Sequence, residues 1–318
     1  MQNHSKTSRE GLTRKFSIVI LLIALTPLLI VTGVVMDQYR DAYEAKTYAH
    51  LTERVQKHAR LIDIFLQERL GDIRFLAQAF DGEALTRKPF LQRCLDLLRK
   101  ECGSVFTDMG VVEIGPRGRQ INYAGPFQLE NALYGKAGWF QIAAAREHFI
   151  SDTFMGLRGF PHFIVAARKR WGGGDCIVRA TVDFTAFDNL VKSLKSGVSG
   201  YAFIINRAGS LQAGSPGVTP LPGNAEVNTL FELADNQTFL SSSEDNAAFY
   251  VTALIKNGAW LLVYHQTKAD IFSQLRRTHK IAFAALFIGS VAIVCTALYL
   301  PLAILLKTEQ GSGEQKQR

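Results

Sequence analysis

Two long uncharged apolar runs bracket this chain, and they constrain it more than any other feature. The first, Phe16–Met36, has 21 residues and no charge. The second runs over 281–306, also without a charged residue. Each is long enough to cross a bilayer, which takes about 20 apolar residues in a helix. A cleaved signal peptide competes for the first run. Its apolar region spans only ~7–15 residues and ends in a small-residue cleavage site. The run here is longer and leads directly into a charged helical pattern, so an uncleaved anchor is expected. Lys6, Arg9, Arg14 and Lys15 precede it, which predicts a cytoplasmic N-terminus by the positive-inside tendency. The basic stretch RRTHK at 276–280 argues the other way, but the first helix usually dominates. The expectation is a two-pass protein of the plasma membrane. Residues 1–15 and 307–318 are then cytoplasmic, 16–36 and 281–306 span the membrane, and 37–280 lie outside.

The net charge of +8 is spread along the chain, and several of the basic residues flank the apolar runs. That is a membrane pattern rather than a nucleic-acid patch. Cys94 and Cys102 lie about 12 Å apart if one continuous helix carries both, too far for a disulfide. Cys176 either meets one of them or stays free. No Cys/His spacing resembles a metal site, and nothing in the sequence calls for a cofactor.

Within 37–280 the patterns are local and readable. Residues 37–80 carry Leu51, Val55, Ile62, Phe65, Leu66, Ile73, Leu76 and Phe80 at spacings of three, four and seven. This is the stripe of an amphipathic helix, ~60 Å long at 1.5 Å per residue. It packs on its own domain, on a partner helix across a homodimer, or on both along different stretches. A shorter helix is expected at 87–101. The period then changes to strands. MGVVEI (109–114) and RQINYAG (119–125) form one hairpin, and HFIVAARKR (162–170) and CIVRATVDF (176–184) a second, joined by WGGGD (171–175). A helix follows at about 185–195. YAFIINRAGSLQAG (201–214) then repeats the pattern of 109–125. Two more strands, 248–254 and 260–266, are joined by IKNG, whose Asn-Gly is a tight-turn signal. Residues 215–247 read as an irregular loop with a short helix. The sum is an α+β protein: a long N-terminal helix, a distal lobe over 81–184, and a linker helix with a proximal lobe over 185–280, each lobe a PAS-like antiparallel sheet.

These residues resemble a known family. VDFTAFDNLVKSLKSGVSGYAFIINRAGSL (182–211) is similar to the link between the two lobes of double Cache sensor domains. INYAGPF, Trp139-Phe140, ISDTFMGLRGFPHFIVAARKR, IVRATVD and GYAFIINRAGSLQ look like the input region of Cache-containing bacterial sensor histidine kinases. The resemblance covers about 20–306. It implies a signal-input module of a two-component sensor kinase. Such kinases continue into a dimerisation helix with a phospho-accepting His and an ATP-binding domain. Only Lys307–Arg318 follow the second apolar run here, so no enzymatic activity is expected from this chain, and a cytoplasmic transmitter in cis or in trans would carry the output. A membrane-anchored interaction protein without a small ligand is the alternative. It would be favoured by a filled pocket with purely apolar walls.

The family holds its ligand in the membrane-distal lobe. Carried onto this sequence, that implies an apolar wall from Trp139, Phe140 and Phe154. Donors to an anion would come from Arg158, His162 and Arg179, with Arg suited to carboxylates, and Asp183 stands where the family can hold an amine. Each has a structural alternative. Trp139 and Phe140 can be core, Arg158 a solvated loop residue, His162 can point elsewhere, and Asp183 can cap the following helix. The amino-acid-binding branch carries an Arg two residues before the Trp and a Tyr in the loop. Here those places hold Ala137 and Phe154, with Lys136 shifted by one. A small carboxylate or another metabolite is therefore as fitting as an amino acid.

Overall fold

The computed structural model describes residues 3–170, 174–194, 200–214, 224–235, 240–242 and 248–314. The turn expected at 171–175 and most of the segment 215–247 lie largely outside the described residues. The chain divides into two compact units, His50–Asp270 and a second one of Met1–Ala49 with Ile271–Arg318.

The first element, α1, is continuous over Asn3–Ala79 and includes Pro27. The sequence separates an apolar span from a following amphipathic helix, and both belong to this one helix. Inside the His50–Asp270 unit, Leu51, Val55, Ala59, Ile62, Leu66, Leu70, Ile73 and Ala77 are buried. Their spacing of three and four is one face of a 3.6-residue helix.

The distal lobe begins with α2 (Gly82–Thr86) and α3 (Lys88–Cys102). It continues through β1 (Phe106–Glu113), β2 (Gln120–Ala124), α4 (Gly138–Ala144), β3 (His148–Ile150), β4 (His162–Lys169) and β5 (Cys176–Asp183). Its antiparallel sheet has the order β2-β1-β5-β4-β3. The proximal lobe comprises α5 (Phe184–Lys192), β6 (Tyr201–Asn206), β7 (Leu211–Gly214), α6 (Asn224–Asp235), β8 (Leu240–Ser242), β9 (Ala248–Ile255) and β10 (Trp260–Thr267). Its order, β7-β6-β10-β9-β8, is the same arrangement a second time.

The repeat extends to the register. β1 shifts against β2 between Val111 and Val112, and β6 shifts against β7 between Ile204 and Ile205. Superimposing these bulges pairs Gly110 with Phe203 and Gln120 with Leu211. Across the adjoining strand, Gly110 faces Arg179 and Phe203 faces Val263. Two residues away, Asp108 faces Thr181 and Tyr201 faces His265. The two sheets share one backbone plan and differ in what fills it.

The edge strands β3 and β8 are three residues each and carry too short an alternation to be read from sequence. All four cysteines are free.

After α7 (Lys268–Ile271), α8 runs over Ser273–Glu314. In the unit of both chain ends, two segments are long and apolar enough to cross a membrane, with windows of mean hydropathy 2.9 and 2.5. Almost none of either window is buried against protein. Thr32 Oγ1 and Thr296 Oγ1 each donate to the carbonyl four residues earlier, at 2.7 and 2.8 Å, so these hydroxyls need no external partner.

Candidate ligand-binding site

A cavity of about 850 Å³ opens on the distal lobe. Its roof is α4, which packs across one face of the sheet. Trp139 and Ala143 of α4 join Tyr134, Val112, Ile164, Ala166 and Ile177 in one apolar cluster. Trp139 meets Tyr134 edge-on at 5.0 Å, an arrangement favoured by the ring quadrupoles. α1 closes the back with Gln67 and Leu70, and the β9–β10 turn of the proximal lobe contributes Lys256, Asn257 and Ala259.

The seven residues singled out from sequence separate in this geometry. Trp139, Phe154, His162 and Arg179 line the cavity. Phe140 belongs to the adjoining apolar cluster, is nearly fully buried, and is not among the lining residues. Asp183 precedes α5 as its N-cap, and its carboxylate accepts from the Thr185 amide at 2.8 Å. It too is absent from the lining, and it takes the capping role that competed with amine binding. Arg158 ends a single 3-10 turn, Gly156–Arg158, and its side chain lies outside the described residues.

Phe154 and His162 form an isolated bridge, exchanging backbone hydrogen bonds of 2.9 and 3.0 Å with their rings 4.5 Å apart. His162 Nδ1 lies 2.9 Å from the Phe160 carbonyl, which can only accept, so Nδ1 carries the proton. Gly156 sits beneath this ring with φ +53°, and a Cβ there would come within 2.6 Å of the imidazole. The loop needs glycine at that position both for its backbone and for the close approach.

Arg179 is wholly buried. Its Nη1 donates to Asp108 Oδ1 at 2.5 Å and to Thr181 Oγ1 at 3.2 Å. Its Nη2 donates to Gln120 Oε1 and to Tyr134 Oη. Burial opposes the charged guanidinium, but the Asp108 carboxylate outweighs it and raises the Arg179 pKa above its ordinary value. Gly110 makes this arrangement possible, because a Cβ there would lie 2.5 Å from Gln120 Oε1 and 3.0 Å from Arg179 Nη2. Of the guanidinium donors, Nε alone has no protein partner. The sequence expectation of a free Arg fork for a ligand carboxylate is thus narrowed: the fork is committed to Asp108 and Gln120, and one donor remains.

Sequence reasoning missed Asp108, Gln120, Tyr134, Asp152 and Lys256. Asp108 had a signal, since it is an acid inside the mostly apolar early part of β1. Lys256 had none beyond its place in a turn. Asp152 accepts from Lys256, Trp260 and Asn206. Its partial burial would raise its pKa, but these donors prevail and hold the carboxyl below its ordinary value. Of the described residues lining the cavity, Arg146, Arg179 and Lys256 are cationic and Asp152 is the one carboxylate. Lys256 is paired with Asp152 and Arg179 with Asp108, so among these lining charges Arg146 supplies the excess positive charge, which favours an anion modestly. No cluster of three or more metal-ligating side chains occurs among the described residues.

No family model and no curated protein matches this chain by sequence. Solved structures do match. The ligand-binding domain of the Campylobacter jejuni chemoreceptor Tlp3, solved with 4-methylisoleucine, superimposes with a TM-score of 0.55 at 13% identity, over 72% of this chain and 93% of that one. The extracellular domain of the putative histidine kinase mmHK1S-Z2 gives 0.56 at 13% identity, over 71% and 99%. The ligand-binding domain of the Pseudomonas fluorescens chemoreceptor CtaA, solved with L-isoleucine, gives 0.52 at 15% identity, over 74% and 98%. The fold is that of a double Cache sensor domain. A double Cache domain here means a long α1 with two serial PAS-like sheets. The cavity lies on the sheet that comes first.

Proposed function

We propose that this chain is the ligand-sensing input module of a bacterial membrane receptor of the sensor histidine kinase class. Phe16–Met36 and 281–306 would cross the plasma membrane, with 37–280 on the outer side. α1 would pair with a second copy, and a cytoplasmic transmitter in cis or in trans would read the second span. The ligand is a small metabolite with an anionic group, held in the distal cavity with Trp139, Phe154, His162 and the Arg179 Nε around it. In such a module binding does no chemistry. It biases a two-state equilibrium.

The observation that carries this reading is an open cavity lined by Trp139, Phe154 and His162, with the Arg179 network in its wall, on a fold shared with ligand-binding sensory domains. A ligand-free interaction protein would be better served by a filled lobe, so the cavity argues against that reading.

The test is a thermal-shift screen of the full chain in lipid nanodiscs against small carboxylates and amino acids. Binding raises apparent stability by mass action. A hit should lose its shift in Trp139→Ala and keep it in Arg207→Ala. Loss through Arg207→Ala with retention through Trp139→Ala would move the site to the wrong lobe and end the proposal. For the membrane arrangement, alkaline phosphatase fused at the turn 207–209 should be active and at 318 inactive; the reverse pattern rejects the topology.

A further inference from the structure

The three residues that follow β3 are held by the other lobe, and the first two of them, Ser151 and Asp152, line the cavity. Lys256 Nζ donates to the Ser151 carbonyl at 3.0 Å and to Asp152 Oδ1 at 2.9 Å, and lies 4.0 Å from the centroid of the Trp260 ring. Trp260 Nε1 donates to the same Asp152 oxygen at 2.7 Å, and Asn206 Nδ2 donates to the other at 2.8 Å. The Thr153 amide and hydroxyl bond the side chain and backbone of Gln212 at 2.8 and 3.0 Å. Lys256, Trp260, Asn206 and Gln212 all belong to the proximal lobe. The Lys256 amide in turn donates to Asp63 Oδ1 on α1 at 2.7 Å.

Lys256 and Asn257 have φ of +52° and +53° in the β9–β10 turn, where a tight hairpin turn calls for positive φ, and the Gly258 amide closes that turn on the Ile255 carbonyl at 3.1 Å. The turn carries the largely shielded Lys256 ammonium to a carbonyl, a carboxylate and an indole face.

We propose that the Asp152–Lys256 ion pair is a clasp through which occupancy of the distal cavity is felt by the proximal sheet. Ser151 and Asp152 line the cavity, and so does Lys256. A body placed in the cavity meets both halves of the clasp, and the halves are anchored in different lobes. The inference rests on reading the cavity as the sensing site, but its test needs no ligand.

Ala137 lines the cavity at the start of α4, and Ala137→Phe serves as a tethered occupant. Hydrogen exchange is measured on the full chain in nanodiscs. The expected result is a change of at least ~3-fold in exchange over 255–264 on the proximal hairpin, since exchange reports local opening. In a Lys256→Met background that distant change should vanish while the change around α4 and β4 persists. An unaltered hairpin in Ala137→Phe overturns the clasp, and so does a change of equal size with and without Lys256. Leu133→Trp, at an exposed lining position, repeats the test if Ala137→Phe fails to fold. A failed ligand screen would leave this result standing, and a failed clasp would leave a ligand hit standing.

Discussion

The distal and proximal lobes share strand order and bulge position, yet their sheets are filled differently: the distal lobe lines a cavity of about 850 Å³, and the described part of the proximal lobe lines, with α1, a smaller one of about 270 Å³. Part of the difference lies at a few equivalent places. Where the distal sheet has Gly110 facing Arg179, the proximal sheet has Phe203 facing Val263, both buried in the proximal apolar cluster. Where the distal sheet sets Asp108 against Thr181, the proximal one stacks Tyr201 on His265 at 4.5 Å. Gln120 corresponds to Leu211. A polar network around Arg179, in which Nε alone lacks a protein partner, has replaced hydrocarbon in the first lobe. Its geometry leaves open space above it. One backbone plan thus carries a buried polar network in one copy and an apolar, aromatic filling in the other at equivalent sheet positions.

The largest test of that contrast is Arg179. Arg179→Met leaves Asp108 buried without its cation, and such a loss costs about 3–5 kcal/mol. Arg207, in the turn of the equivalent proximal hairpin, donates to the Gly258 carbonyl and lies 4.7 Å from the Phe231 ring at an exposed site. Arg207→Ala is expected to cost below ~1 kcal/mol. Urea denaturation of both variants decides it. Equal losses would mean that the distal network is not the keystone of its lobe.

Packing gives the next contrast. Ala137 borders open space, whereas Ala213 of β7 is fully buried. Ala213→Phe should cost ~1–3 kcal/mol or more by overpacking, and Ala137→Phe clearly less. A reversed order in thermal melts would mean that the cavity is not open in solution.

Acid should separate the lobes as well. Burial depresses the His265 pKa below 6.5. Its neutral form is the one that the fold favours. The unfolded chain therefore binds the proton first, and this contribution, intact above pH 6.5, is lost as pH falls from 6.5 through the folded value. Asp152 is depressed below 3.8, so its contribution survives until pH falls below that value. Between pH 7 and 5, exchange protection should weaken at β10 before it weakens around Asp152. His58, which bonds Tyr264 of β10 and is likewise depressed by burial, shares this window, so His265→Phe should reduce the early loss and His265→Phe with His58→Phe should remove it; an unchanged profile in the double variant would assign the loss to another group.

The smallest effect belongs to the joint between the lobes. Asp183→Ala removes the α5 cap and should cost ~1 kcal/mol. It should leave any ligand-induced thermal shift unchanged. A lost shift would give Asp183 a binding role after all.

What the sequence determined by itself was everything periodic. The stripe from Leu51 to Leu76 made a helix, the alternating runs made strands, and the echo of 109–125 in 201–214 made two like lobes. These signals are legible because each arises from neighbours a few residues apart. Tertiary structure alone decided which polar groups were free. Arg179 reads as a ligand donor until Asp108, 71 residues away, takes it. Asp152 and Lys256 carry no pattern at all until folding brings them together across 104 residues. A charge has no periodicity, and its partner is set by the path of the chain. Pairing across the fold therefore decided which polar groups the cavity presents, while local pattern decided the elements around it and the resemblance to double Cache domains supplied the expectation of a distal site.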